Sequence, residues 1–187
     1  MKQIFLLITI CILNIKQGVT QTAFEVTLLK SLNEYRKIKG LAIVYYDSSA
    51  SVIAKQHSTY LNKCSDANHI VHYDSDGGHD EKYDVPDFTE RTLEQRANSV
   101  KGATFIGEIC YQTFEVLEGT DEKSVAANII KGFDASPGHK NVMTFDYGNT
   151  INFLKPIVGL SVLKKLSNIS GYVRYVVVID FGFVQIH

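Results

Sequence analysis

Two β-prone runs near the end of the sequence restrict the available folds more than any other feature. Tyr172–Phe183 consists mostly of β-branched and aromatic residues, and Pro156–Leu166 alternates apolar with small or polar side chains. Both patterns are typical of strands. The turn sequence Asn168–Gly171 lies between them, so the two runs predict a hairpin. A lone hairpin is marginally stable in water, so other elements must cover it.

Helical segments precede this hairpin. The spacing of apolar residues predicts helices, and one earlier β-prone run predicts a further strand. The expected helices are Ala23–Lys39, Ala50–Lys63, Asp87–Ala97 and Asp121–Phe133, and the strand is Thr104–Tyr111. Helices early and strands late predict an α+β fold with helices on a mostly antiparallel sheet. A length of 187 residues suits one such domain.

The N-terminal segment has the pattern of a secretory signal peptide. Lys2 gives a positive start, and Ile4–Leu13 is apolar apart from Thr9. As a helix this run would extend about 15 Å, about half of a bilayer core. We therefore expect residues 1–20 to be a signal peptide, residues 21–187 to form one domain, and the mature protein to be secreted. No later stretch predicts a transmembrane segment.

Charge and cysteine content agree with an exported protein that does not bind nucleic acid. The formal net charge is −1, whereas a nucleic-acid partner requires a basic excess or stripe. Cys64 and Cys110 remain after signal removal, so an oxidising compartment predicts one disulfide between them. Two separate buried thiols are the alternative. Asn168 begins the sequon Asn-Ile-Ser and is a candidate glycosylation site.

Glu108 is the residue whose sequence context most strongly indicates a site. It lies within an apolar, strand-like run, and a buried carboxylate needs a partner. Imidazoles are available: His69, His72 and His79 share one polar loop, and His139 follows a Ser-Pro-Gly turn. Two imidazoles and one carboxylate suit Zn²⁺ or acid/base chemistry. A buried hydrogen-bonded network without metal or turnover is the alternative that the residue types favour.

The order of several short motifs resembles the CAP superfamily, also called the SCP/TAPS or cysteine-rich secretory protein domain. Ile106–Ile109 is similar to its "G-E-N-[IL]" motif, and Phe133–Val142 to the "S-P-G-H" motif of the shorter microbial-type members. The opening and closing motifs are similar too, at Leu32–Arg36, Ala54–Ser58, Ile157–Val162 and Tyr175–Gly182. The resemblance runs from about residue 23 to residue 182.

This resemblance implies a three-layer α-β-α sandwich with a central cavity. In the family, two histidines and one or two acidic residues face that cavity, and in some members they hold Zn²⁺ or Mg²⁺. By position, Glu108 and His139 match this set. His72 fits best as the first histidine, with His69 as its competitor, and Asp134 could replace the second acidic residue. Zinc or another divalent cation is therefore the expected cofactor.

The family is known for extracellular binding and signalling rather than for one shared reaction. The resemblance therefore implies a secreted, non-catalytic protein that binds a lipid, a sterol or an extracellular protein through a cavity lined by histidine and glutamate. The alternative is an extracellular hydrolase that uses the same cavity. In that case a metal-bound water or the hydroxyl of Ser136 would act as nucleophile.

Overall fold

The computed structural model describes residues 20–66, 79–81, 91–116, 120–148 and 153–186. Its helices are α1 (Ala23–Ile38), α2 (Ser48–Asp66), α3 (Leu93–Ala97), α4 (Glu122–Ala135) and α5 (Pro137–Met143). Its strands are β1 (Tyr45–Tyr46), β2 (Ala103–Val116), β3 (Leu154–Leu166) and β4 (Tyr172–Gln185). Residues 1–19 of the predicted signal peptide and both His69 and His72 lie outside the described residues.

The four described strands form one sheet in the order β1-β3-β4-β2. The predicted hairpin is present: β3 and β4 pair antiparallel, and Gly171 in their turn has a φ of 81°. That backbone conformation favours glycine. β2 pairs antiparallel with the other side of β4, whereas β1 pairs parallel with β3. The α+β prediction is confirmed, with a sheet that is mixed rather than wholly antiparallel.

Helices cover both faces of the sheet, which gives the predicted three layers. Successive side chains of a strand point to opposite faces, and β4 divides its residues in this way. Val177, Ile179 and Phe181 belong to the larger core, which includes residues of α1 and α4. Val176 and Val178 belong to a second core together with residues of α2. The even-numbered side chains of β4 therefore face α2.

Local sequence signals explain where α1 begins and ends and where α2 begins. Thr22 and Glu25 form a reciprocal capping box at the start of α1, and Gly40 follows its end with a φ of 73°. At α2, the Oδ1 atom of Asp47 accepts a hydrogen bond of 2.8 Å from the Ala50 backbone N–H. These contacts satisfy backbone groups that a helix end leaves without partners.

Close packing of α2 on the sheet depends on a glycine in β3. A Cβ atom on Gly159 would lie 2.4 Å from the backbone carbonyl carbon of Ala50. Only a residue without a side chain therefore allows this approach. The result is that α2 lies directly over β3 and β4, and its inner face meets the even-numbered residues of β4.

Two elements were not predicted from the sequence, and the helix that was expected over Asp87–Ala97 begins only at Leu93. Residues 137–143 form a short helix with a proline at its first position, where the Ser-Pro-Gly sequence predicts only a turn. Proline is well tolerated there because the first N–H of a helix has no intrahelical partner. β1 has only two residues, too few for any periodic signal. Within the described ranges, no helix combines the length and apolarity that crossing a bilayer requires.

Candidate functional site

Glu108 lies on β2, which forms one edge of the four-stranded sheet. It is opposite Asp180 in the β2–β4 register, so both carboxyl groups are on the face that α2 covers. The β2 register shifts between Phe105 and Gly107, and such a bulge changes the direction of the side chains beside it. Glu108 is 4% exposed and Asp180 is 1% exposed. Two acidic groups are therefore buried side by side.

Arg96 is the main cationic partner of Glu108. It lies on α3, whose first turn is held by a capping box between Thr92 and Gln95. Its Nη2 atom donates to both carboxylate oxygens of Glu108 at 3.0 Å. Both side chains are 1% exposed. This is a fully buried ion pair, and loss of either member would leave a buried charge without its partner.

Three further side chains surround one oxygen of Glu108. The Oε1 atom lies 3.0 Å from Nδ1 of His79, 3.4 Å from Nε2 of His57 and 3.4 Å from Sγ of Cys110. His57 comes from α2, and Cys110 follows Glu108 on the same face of β2. We call Glu108, Asp180, Arg96, His57, His79 and Cys110 together the Glu108 cluster.

A second ion pair supports His57 from its other side. The Nδ1 atom of His57 lies 3.5 Å from Oε1 of Glu81, a carboxylate that is fully buried. Nε of Arg91 donates to Oε2 of Glu81 at 2.7 Å. His57 therefore bridges two buried carboxylates, Glu81 and Glu108, and each of them also has its own guanidinium. This arrangement fixes the orientation of the imidazole ring.

The two opposed carboxyl groups have pKa values shifted in opposite directions. Burial acts to raise the pKa of Glu108, but attraction to His57 and Arg96 and the His79 hydrogen bond outweigh it, so this pKa lies well below its usual value. Burial and the neighbouring Glu108 charge raise the pKa of Asp180 well above its usual value. Two carboxylates buried beside each other repel, so ionisation of both groups at once is disfavoured. Of the two groups, Glu108 therefore keeps its negative charge to lower pH, and Asp180 takes up a proton first.

Of the predicted site residues that the structure describes, Glu108 and His139 are both buried. His139 lies on α5 and packs edge-to-face on Phe133, with ring centroids 5.3 Å apart. Phe133 belongs to the core on the sheet face opposite α2. His79 contacts both His139 and Glu108. Its ring lies edge-to-face with that of His139, with ring centroids 6.4 Å apart, and its Nδ1 atom lies 3.0 Å from Oε1 of Glu108.

Asp134 is engaged with Tyr35 and Lys140, and the two cysteines are not joined to each other. Asp134 accepts a hydrogen bond of 2.5 Å from the Tyr35 hydroxyl and pairs with Lys140 at 2.8 Å. Cys64 and Cys110 are both buried, free thiols in the second core. Burial raises the pKa of each thiol. The predicted disulfide is therefore not formed in this structure, which has the alternative arrangement of two separate buried thiols.

One group of described residues has the atoms and spacing for a metal ion. Ligand atoms of His57, Glu108 and Cys110 all lie within 4.8 Å of one another, and imidazole, carboxylate and thiolate are all ligands of zinc. Both oxygens of Glu108, however, accept hydrogen bonds from Arg96. Burial, together with the neighbouring carboxyl groups, raises the pKa of the Cys110 thiol and keeps it protonated. A cation would have to displace the guanidinium, so this arrangement fits a resident metal poorly.

A cleft of about 590 Å³ opens beside the Glu108 cluster. Its described walls come from α3, the first half of β2, and two aspartates, Asp80 and Asp180. Apolar side chains contribute to the same walls, among them Leu93, Phe105 and Ile106. Among the described lining residues there is no histidine and Glu108 is not included. Asp180 is thus the member of the cluster that borders the cleft.

Sequence reasoning left four members of the cluster out of the predicted site. One of them, His79, was named only as an available loop imidazole, and His72 was preferred to it. His57 occupies an ordinary helix position, and only the packing of α2 on the sheet brings it to Glu108. Arg96 lies in a charged segment with no distinguishing pattern. Asp180 does carry a usable signal, because it follows Val176–Ile179 and precedes Phe181. A charged residue in such an apolar run is the same signal that indicates Glu108.

The solved structures that are similar to this chain include the following two. One is an outer surface protein from Borrelia burgdorferi, with 15% sequence identity and a TM-score of 0.48, covering 87% of this chain and 95% of that one. The other is an extracellular protein containing an SCP domain from Bacillus anthracis, with 18% identity and a TM-score of 0.40. That match covers 86% of this chain and 40% of the other.

Comparison with curated proteins finds no significant match. The family model of the cysteine-rich secretory protein family, CAP, matches residues 29–144. This range contains the second part of α1 and the whole of α2, β2 and α5, and with them Glu108, His57 and His139. The match covers more than half of the sequence, as the order of motifs predicted. The chain therefore belongs to the cysteine-rich secretory protein (CAP) family.

Proposed function

We propose that this chain is an exported CAP-domain protein that binds a small, partly apolar ligand in the cleft beside the Glu108 cluster and catalyses no reaction there. Export rests on the signal-peptide pattern of residues 1–20. The single observation that carries the rest is the complete engagement of the Glu108 carboxylate. It contacts Arg96, His57, His79 and Cys110.

This engagement argues against the hydrolase alternative. A general base needs an oxygen within hydrogen-bond reach of the proton that it removes from the substrate. Both oxygens of Glu108 already accept from Arg96, and its burial leaves 4% of the residue accessible. A metal-bound water would require the same carboxylate to leave Arg96. The cluster therefore serves as a rigid support for β2 and α3 rather than as a reaction centre.

The cleft itself supports ligand binding. Pockets that bind small molecules typically enclose roughly 300–1,000 Å³ and combine apolar walls with a few polar groups. At about 590 Å³, with Leu93, Phe105 and Ile106 beside Asp180, this cleft has that size and that mixture. A concave surface of this kind favours a small amphiphile, such as a lipid, over a flat protein surface as the ligand.

A second hollow of similar volume is the rival site. It lies at the β1 end of the sheet and has Tyr45, Lys155 and Ile186 among its lining residues. Binding must therefore be assigned to one place by substitution. Ala97→Phe would fill the first cleft, which Ala97 lines, while Ala127→Phe on the exposed face of α4 is the matched control.

The test uses the mature chain, residues 21–187. Thermal shift and calorimetry are measured against fatty acids, a sterol and alkyl amines, together with ester and peptide hydrolysis assays. We expect at least one amphiphile to bind, Ala97→Phe to abolish that binding, and Ala127→Phe to preserve it. Binding unaffected by Ala97→Phe, or hydrolysis that Glu108→Gln abolishes in a folded protein, would contradict the proposal. Export is tested by locating the intact chain's product after expression and sequencing its N-terminus.

A further inference from the structure

Several large apolar side chains are exposed together at one end of the sheet. β2 ends at Val116, β3 ends at Leu166 and β4 begins at Tyr172, so the ends of three strands meet there. Val116 lies opposite Tyr172, and Phe114, Leu166 and Ile169 line one hollow of about 180 Å³. We call Phe114 (43% exposed), Val116 (50%), Leu166 (69%), Ile169 (57%) and Tyr172 (39%) the hairpin-end patch. Exposed apolar residues that are contiguous, rather than scattered singly, indicate an interaction site.

The turn that carries Ile169 is fixed by its own hydrogen bonds. The Ser167 backbone N–H donates to the carbonyl oxygen of Tyr172 at 2.9 Å, and the Tyr172 N–H donates to that of Ile169 at 3.2 Å. The Ile169 N–H donates to Oγ of Ser167 at 3.0 Å. The turn therefore presents Leu166 and Ile169 to solvent in a defined arrangement.

Basic side chains border the hairpin-end patch on the sheet face that α2 covers. Lys165 and Arg174 are opposite each other in the β3–β4 register, and both pair with Asp66 at the end of α2, at 2.7 and 2.8 Å. Lys63 lies in the last turn of the same helix, whereas Glu115 faces the other side of the sheet. Among the described residues beside the patch on this face, the balance of charge is therefore positive, although the whole sequence has a formal net charge of −1.

An apolar end with basic neighbours has the chemistry of a contact with a membrane surface. Apolar side chains insert at the boundary between headgroups and acyl chains, tyrosine is favoured at the same depth, and basic side chains are attracted to anionic lipids. The hollow of about 180 Å³ within the patch is smaller than the roughly 300–1,000 Å³ of small-molecule pockets. The patch therefore fits an extended lipid surface better than an enclosed ligand.

The geometry points to a lipid partner: we propose that the hairpin-end patch inserts into the headgroup region of an anionic membrane surface. Leu166 and Ile169 enter the apolar boundary, and Lys165 contacts the lipid phosphates. This inference goes beyond the proposed function and does not depend on it. The cleft is lined by the first residues of β2, whereas the patch lies at the last residues of that strand.

The test uses the mature chain, residues 21–187, produced without glycans because Asn168 lies in the same turn. Sedimentation with vesicles compares pure phosphatidylcholine with a mixture of phosphatidylcholine and phosphatidylserine. The double substitution Leu166→Ser with Ile169→Ser removes apolar area from the patch. Val26→Ser with Ile38→Ser is the matched control, because these two side chains of α1 are also exposed, at 52% and 82%.

We expect the wild-type chain to bind the anionic vesicles at least about tenfold more strongly than the neutral ones, and added salt to weaken this binding. Leu166→Ser with Ile169→Ser should weaken binding to the anionic vesicles at least about tenfold, because two inserted apolar side chains are lost. Val26→Ser with Ile38→Ser should leave the binding unchanged. Circular dichroism checks that both variants are folded.

A tryptophan reporter supplies a second measurement that does not require loss of binding. The sequence contains no tryptophan, so Ile169→Trp places a single indole in the patch and Ile38→Trp places one on α1. Anionic vesicles should shift the emission of Ile169→Trp to shorter wavelengths and leave that of Ile38→Trp unchanged.

Equal binding of wild type and the patch variant, equal binding to neutral and anionic vesicles, or a shift of emission only in Ile38→Trp would overturn the inference. Self-association without lipid that the patch variant abolishes would also overturn it, because a second copy of the chain would then cover the patch. Failure of the proposed function has a different signature, since ligand binding would then be unaffected by Ala97→Phe while binding to vesicles is retained.

Discussion

Replacing Arg96 by methionine tests whether the Glu108 cluster is a structural support. The substitution keeps an unbranched side chain but removes the guanidinium that donates to both oxygens of Glu108 at 3.0 Å. Both partners are 1% exposed, so water cannot replace the lost contact. Removing one partner of a buried ion pair costs about 3–5 kcal/mol. For a domain of this size that corresponds to a fall in Tm of about 6–20 °C.

The assay is urea unfolding followed by far-UV circular dichroism and tyrosine fluorescence, since the sequence contains ten tyrosines and no tryptophan. Lys140→Met is the matched control, because the Lys140–Asp134 pair is 44% and 35% exposed and such pairs contribute about 0–1 kcal/mol. The double substitution Arg96→Met with Glu108→Gln should recover much of the loss. A loss for Arg96→Met no larger than for Lys140→Met would refute the reasoning.

The pH dependence gives a second measurement on the same pair. The pKa of Glu108 is lowered in the folded protein from the ordinary glutamate value of 4.5, so its contribution to stability is fully present above that value. It is lost as the pH falls from about 4.5 toward the folded pKa. We expect wild-type stability to decrease over this range and the decrease to be smaller in Arg96→Met, where the pKa of Glu108 is lowered less. Parallel pH profiles would contradict this account.

Further predictions concern packing, thiols and metal. Gly159→Ala should lower the free energy of unfolding by about 1–3 kcal/mol, because its Cβ would lie 2.4 Å from the Ala50 carbonyl carbon. Gly138→Ala is the control, since a Cβ on Gly138 meets nothing within 4 Å. Equal urea midpoints for the two variants would contradict this prediction. Cys64 and Cys110 should resist a maleimide in the native state and both react after unfolding without reductant; an intact disulfide by mass spectrometry would contradict it. Adding Zn²⁺ or EDTA should leave the wild-type Tm unchanged, and a zinc-dependent rise would show that a cation displaces the guanidinium.

Much of the fold follows from local signals in the sequence. The β3–β4 hairpin could be predicted because both strands are long and a turn with glycine joins them. α1 could be placed because its cap residues stand at both ends. β1 could not, because two residues have no periodicity and pair only through contact with distant β3. The helix α5 was missed because Ser136-Pro137-Gly138 is typical of turns as well as of helix starts.

The candidate site was predictable only in part, for a different physical reason. Glu108 could be identified because a charge in an apolar strand requires compensation. Which cations supply it depends on the rotation of α2 and the placement of α3, and neither is encoded in a short motif. His57 and Arg96 therefore became visible only in three dimensions. Asp180 could have been found by the argument used for Glu108, whereas His72 lies outside the described residues.

The position of β4 between β2 and β3 has a consequence for how the polypeptide acquires its structure during synthesis. Both neighbours precede β4 in the chain, and β2 pairs with β4 alone among the described strands. Neither neighbour can form these pairings before β4 has left the ribosome, because long-range strand pairing requires both segments. Assembly of the sheet is thereby postponed to a late stage.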